Sequence, residues 1–79
     1  MKLIRVTSQQ SSYLAKVASG KTAQDIANEE HVSVPTVRYH LNGLRASFDA
    51  ETLPELAAKG VHTKVIIPDG QGGFKPSPE

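Results

Sequence analysis

The chain contains no cysteine. Neither a disulfide nor a thiolate metal site can staple it, and thiols give no clue to its redox compartment. Long apolar runs are missing too, and nothing approaches the roughly 20 residues that a membrane-spanning helix needs. The opening Met1-Lys2-Leu3-Ile4-Arg5-Val6 lacks the continuous apolar core of a secretory signal. A soluble, cytoplasmic protein without membrane contact is therefore expected. Enzymatic signatures are equally scarce. Gly70-Gln71-Gly72-Gly73 neither follows an expected strand nor opens a helix, so it does not read as a phosphate loop. The histidines stand at 31, 40 and 62, without ligand-like spacing, and no zinc site is expected. The carboxylates sit at helix starts or in loops, where capping accounts for them. A protein that is not an enzyme, with no catalytic residue, metal or cofactor, is the expectation.

Net charge is also small, at +1. Its distribution is uneven. Residues 1–48 carry six basic side chains (Lys2, Arg5, Lys16, Lys21, Arg38, Arg45) against Asp25, Glu29 and Glu30, a net +3. Residues 49–79 carry Lys59, Lys64 and Lys75 against Asp49, Glu51, Glu55, Asp69 and Glu79, a net −2. Such a field steers an anionic partner toward one face. Chance scatter of surface charge explains it equally well.

What is present is helical. At 79 residues the chain suits one domain, and one this small buries only about 60–65% of its unfolded surface. Small uncrosslinked folds rely on good helix packing or on oligomerisation. The first helix is predicted from Ser8 to Ser19, with Thr7 as N-cap, Tyr13, Leu14, Val17 and Ala18 as its buried stripe, and Gly20 as its stop. The second begins at Thr22, where Thr22-Ala23-Gln24-Asp25 forms a capping box, and ends near Glu30. The third opens at the N-cap Ser33, with Pro35 in its first turn. It carries Val37, Leu41, Leu44 and Phe48 on one side and Arg38, Tyr39, Asn42 and Arg45 on the other. Gly43 interrupts it at a cost of about 1 kcal/mol relative to alanine. A fourth helix is predicted from Thr52, with Glu55 closing a second box and Leu56, Ala57, Gly60 and Val61 as a narrow small-residue face. Residues 1–6 read as an arm, 7–66 as the domain, and 67–79, rich in glycine and proline, as a flexible tail.

The segment 22–48 has the layout of a helix-turn-helix: a short helix, a tight turn, and a hydroxyl-capped helix with one apolar and one polar side. An α-helix fits the major groove of double-stranded DNA. Arginine pairs with a guanine edge and asparagine with an adenine edge, so Arg38 and Asn42, one turn apart, suit that groove. Tyr39 stands beside them. Ser33, Thr36, Lys21 and Thr22 sit at helix starts, where hydroxyls and unpaired N–H groups suit phosphate. An ordinary solvated helix face accounts for Arg38, Asn42 and Arg45 about as well.

These residues carry a resemblance. Val6-Thr7-Ser8-Gln9-Gln10, then Gly20-Lys21-Thr22-Ala23-Gln24-Asp25-Ile26-Ala27, then Val32-Ser33-Val34-Pro35-Thr36-Val37-Arg38-Tyr39-His40 follow, without gaps, the pattern of LuxR/GerE-type (NarL/FixJ-like) helix-turn-helix domains. The match runs from Thr7 to about Val65. It implies an all-α, four-helix DNA-binding domain in the stand-alone form, with the 33–48 helix as recognition helix. It also implies base contacts at Arg38, Tyr39 and Asn42. Phosphate contacts would fall at Lys21, Thr22, Ala23, Ser33, Thr36, His40 and Arg45. The fourth helix would pair two subunits through Leu56, Ala57, Gly60, Val61 and Lys64. The chain departs from the pattern in four respects. Gln10 replaces an early glutamate, Ala46-Ser47 replaces a basic end to the recognition helix, Asp49 replaces the following glycine, and Tyr39 is bulkier than usual. Fewer phosphate-contacting charges imply weaker, less salt-dependent binding.

Two functions follow. One is a homodimeric, sequence-specific transcription regulator acting on double-stranded DNA. The other is an interaction module, an anti-activator or accessory subunit whose partner is another regulator or RNA polymerase. The segment also resembles the promoter-reading end of a sigma factor, but a helix after Asp49 disfavours that.

Overall fold

The computed structural model describes residues 6–78. Apart from Val6, the expected N-terminal arm lies outside the described residues. Four helices follow in order: α1 (Ser8–Ala18), α2 (Ala23–Glu30), α3 (Val34–Phe48) and α4 (Leu53–His62). A two-stranded antiparallel hairpin closes the described chain, β1 (Ile66–Pro68) with β2 (Phe74–Pro76).

Each helix begins on a hydroxyl. Thr7 Oγ1 accepts from the Gln10 N–H at 3.1 Å, and Gln10 Oε1 accepts from the Thr7 N–H at 3.0 Å. A glutamine in place of the resemblance's glutamate thus still completes the box. Thr22 and Asp25 exchange the same pair of bonds, at 3.1 and 3.0 Å. Ser33 caps α3 by accepting from the Thr36 N–H. Thr52 caps α4, but the second box does not close as expected. Glu55 accepts from the Glu51 N–H at 3.1 Å, one residue before the cap.

Helix ends turn where residues accept left-handed backbone. His31 (φ 58°) ends α2 and Asp49 (φ 56°) ends α3. Aspartate and histidine tolerate this region better than most non-glycine residues. Asp49 therefore serves where the resemblance has glycine.

Helix α1 is the hub, in contact with α2, α3, α4 and both strands. Its Tyr13, Leu14 and Ala15 join Ile26 and Ala27 of α2, Val37, Leu41, Leu44 and Phe48 of α3, Leu56 of α4 and Ile66 of β1 in one core. The expected apolar stripe of α3 is buried as a whole.

The expected flexible tail is instead folded back. Ile66 is fully buried, and Phe74 packs against the core. The connection is a side-chain-bonded turn, since Asp69 Oδ1 accepts from the Gln71 N–H at 2.7 Å and the Gly73 N–H at 3.1 Å. Gly70 and Gly72 supply its positive φ values. The Gly70–Gly73 run does follow a strand after all, though it returns to a second strand rather than opening a helix. Ser19, just past α1, accepts from the Phe74 N–H at 2.9 Å and fastens the hairpin to the hub.

Two helical glycines are opposites. A Cβ at Gly43 would meet nothing within 4 Å, whereas one at Gly60 would lie 2.8 Å from Leu14 Cδ2 and 3.1 Å from its Cγ. Leu14 is fully buried and has little room to yield. Gly43→Ala is expected to stabilise the fold by about 0.5–1 kcal/mol. Gly60→Ala gains the same helix propensity but incurs overpacking of about 1–3 kcal/mol, for a net loss of about 1 kcal/mol. Urea melts of both variants should move in opposite directions.

Candidate nucleic-acid interface

The turn His31-Val32-Ser33 sets α3 across α2, and the core claims the Val37–Phe48 side of α3. The other side is left to solvent. Arg38, Tyr39 and Asn42 are exposed together there, with Tyr39 at 77%. The side chains expected to meet bases thus share one open face. Ala46 and Ser47 extend it without adding charge.

The residues expected to meet phosphate flank this face less uniformly. Thr22 and Ser33 are exposed caps, with Ala23 and Thr36 half-buried within the first turns of α2 and α3. First turns leave backbone N–H groups without intrahelical partners, which suits an anion. Ser33 and Thr36 hydroxyls also bond each other at 2.9 Å. Arg45 is half-buried, and its Nε is buried without a hydrogen-bond partner among the described residues. His40 is half-buried and stacked edge-on between two tyrosines, 5.2 Å from Tyr13 and 5.6 Å from Tyr39 by ring centroid.

The seam expected on α4 needs correction. Leu56 is fully buried, and Gly60 lies against Leu14, so both belong to the chain's own core. A residue already removed from solvent has no surface to offer a partner. The outward stripe is Leu53, Ala57 and Val61, at i, i+4 and i+8, with Leu53 37% and Val61 38% exposed and Lys64 at its end. Leu53 was absent from the expected seam. The i, i+4, i+8 spacing was its available signal, but the neighbouring Leu56–Gly60 row has the same periodicity.

No protein-family model and no curated protein sequence matches the chain. A solved structure does. It is the Vibrio cholerae VqmA dimer, a LuxR-type receptor, in the absence of its target DNA, 26% identical with a TM-score of 0.74. The chain has a LuxR-like helix-turn-helix fold. The likeness covers 77% of this chain and 28% of the VqmA chain, so the whole of VqmA is far longer than the shared part.

In this LuxR-like domain the charges near α2 are not free. Glu29 accepts a short hydrogen bond from Lys21 and pairs with Lys16 at 3.0 Å, and Lys16 also reaches Glu30 at 3.6 Å. The Lys21 bond, then the Lys16 bond, hold the Glu29 carboxyl below its ordinary range. Burial opposes the charge on Lys16, but the two glutamates outweigh it and raise Lys16 overall. Asp25 is lowered by the Thr22 backbone N–H it caps, Glu55 by the Glu51 N–H, and Asp69 by the N–H groups of Gln71 and Gly73.

Four carboxyls are thus shifted down on folding. A depressed carboxyl contributes stability above its unfolded pKa, and that contribution disappears as pH falls through its folded pKa. The thermal midpoint should therefore drop as pH falls from about 5 to about 3. Glu29→Gln should shrink that acid-side drop, and added salt should shrink the difference between the two proteins, because the pairs are exposed. A Glu29→Gln protein with an unchanged pH profile would exclude the Lys16–Glu29–Lys21 network as a contributor.

Proposed function

We propose that this chain is a sequence-specific transcription regulator that binds double-stranded DNA as a homodimer, with α3 in the major groove. The observation that supports this best is the exposed set Arg38, Tyr39 and Asn42 on the open face of α3, in a fold shared with a LuxR-type receptor. Arg38 takes a guanine edge and Asn42 an adenine edge. Tyr39 stands over the intervening step. The first turns of α2 and α3, with Thr22, Ala23, Ser33 and Thr36, fix the register by meeting phosphates. Lys21 and Arg45 add charge at the margins. Lys21 must leave Glu29 to do so, which keeps the salt dependence shallow.

The homodimer reading moves to the stripe that stands outside the core. Leu53 and Val61 are the large apolar side chains that α4 leaves exposed, with the half-buried Ala57 between them and Lys64 beside them. Two copies joined there would set their α3 helices about 34–36 Å apart, one turn of DNA.

A second reading has its own support. The engagement of Lys21 with Glu29, together with the uncovered Leu53 and Val61, suits a module that binds another regulator or RNA polymerase instead of DNA. It predicts a stable heterocomplex and no selected DNA site.

Selection from a random duplex pool separates the two, and an inverted half-site repeat is the expected product. On the selected site, Arg38→Ala should cost about 1–3 kcal/mol and relax the preference at one base position at fixed salt. Unchanged binding would eliminate the base-reading role. Val61→Asp should turn the dimer into a monomer by sedimentation while leaving the helical fold intact. A dimer that survives the change does not use this stripe.

A further inference from the structure

Tyr39 is the most exposed large hydrophobic side chain described. A tyrosine free to rotate on a helix surface discriminates poorly, because its ring samples several positions over the groove. Here the ring has an aromatic neighbour. Consecutive helical side chains diverge by about 100°, so neighbours at i and i+1 do not ordinarily face each other. Tyr39 and His40 nevertheless meet, with ring centroids 5.6 Å apart and planes at 74°. His40 in turn meets Tyr13 of α1 at 5.2 Å and 71°. Tyr13 is fully buried. Both contacts have the edge-to-face geometry that aromatic rings prefer.

Three rings therefore form a continuous column from the core hub to the outer face of α3. The lowest is fixed by packing on all sides, the middle one is half-buried, and the top one stands in solvent. Among the described residues the buried Tyr13 hydroxyl has no hydrogen-bond partner, and its ring is what meets His40.

We propose that His40, seated on Tyr13, is a positioning residue that fixes the Tyr39 ring and thereby sets the base preference at the step Tyr39 reads. This rests on the DNA-binding reading above. It assigns His40 a role through Tyr39 rather than through a phosphate. The two roles have different signatures. A lost phosphate contact weakens binding to all sequences and lowers the salt slope by about one. A lost support relaxes discrimination at one step and leaves the slope alone.

The test compares the selected site with variants at each base pair, for wild type, Tyr39→Ala, His40→Ala, His40→Phe and Tyr13→Leu. Tyr39→Ala locates the step. His40→Ala is expected to reduce discrimination at that step by about three- to tenfold, the worth of one edge-to-face pair. His40→Phe, which keeps a ring, should restore it. Tyr13→Leu, which removes the lowest ring at some loss of core packing, should reproduce the loss from below when assayed at a temperature where circular dichroism shows the variant folded. His40→Ala losing affinity evenly across sequences, with a salt slope lower by about one, would overturn the proposal in favour of phosphate contact. So would intact discrimination at the Tyr39 step in both His40→Ala and Tyr13→Leu. A wild-type protein that selects no site at all overturns the DNA-binding reading and this inference with it.

Discussion

Tyr13 and Leu14, adjacent in α1, are the constraint on which the other elements depend. Leu14 points its branched end at Gly60, where α4 approaches so closely that no Cβ fits without displacing it. Tyr13 points toward α3 and meets the His40 ring. One helix turn thus fixes the seat of α4 and the roll of α3 at once. With no cysteine to staple it and a core of only about a dozen side chains, the fold has little to spare at these contacts. Whatever face α3 presents outward is a consequence of what Tyr13 and its neighbours hold inward.

The polar chemistry is arranged around that core in short loops. Four hydroxyl caps start the four helices, and three carboxylates, Asp25, Glu55 and Asp69, spend their charge on backbone N–H groups within four residues of themselves. Glu29 differs, because it binds α2 to Lys16 of α1 and to Lys21 before the Thr22 cap. The basic charges nearest α2 are consequently shared between holding the fold and any anion that approaches it. The open face of α3 offers hydrogen-bonding groups and one large ring more than it offers net charge. A surface of that kind favours discrimination between partners over strength of attraction.

Local order was legible because its causes are local. The hydroxyl caps, the Thr22–Asp25 box, the Gly20 stop and the apolar stripe of α3 are set by residues within one or two turns of each other. The pairing of α2 with α3 and the exposure of Arg38, Tyr39 and Asn42 followed from that stripe. The hairpin was not legible in the same way. Pro68-Asp69-Gly70-Gln71-Gly72-Gly73 has the composition of a mobile segment, and its order comes from Ile66 and Phe74 finding apolar surface on α1 and from Ser19, 55 residues away, accepting the Phe74 N–H.

The seam on α4 shows the same division. Its two apolar rows, Leu56–Gly60 and Leu53–Ala57–Val61, lie side by side with one periodicity, and periodicity cannot say which row turns inward. Only the position of Leu14 decides it, by taking the one place along α4 where the helix lacks a Cβ. The sequence alone therefore determined where each helix starts and which side of α3 is apolar, because those depend on short-range hydrogen bonds and spacing. Tertiary structure decided which face of α4 remains free, that the tail folds back, and that Tyr39 stands on a column of rings. Those depend on contacts between residues far apart in the chain.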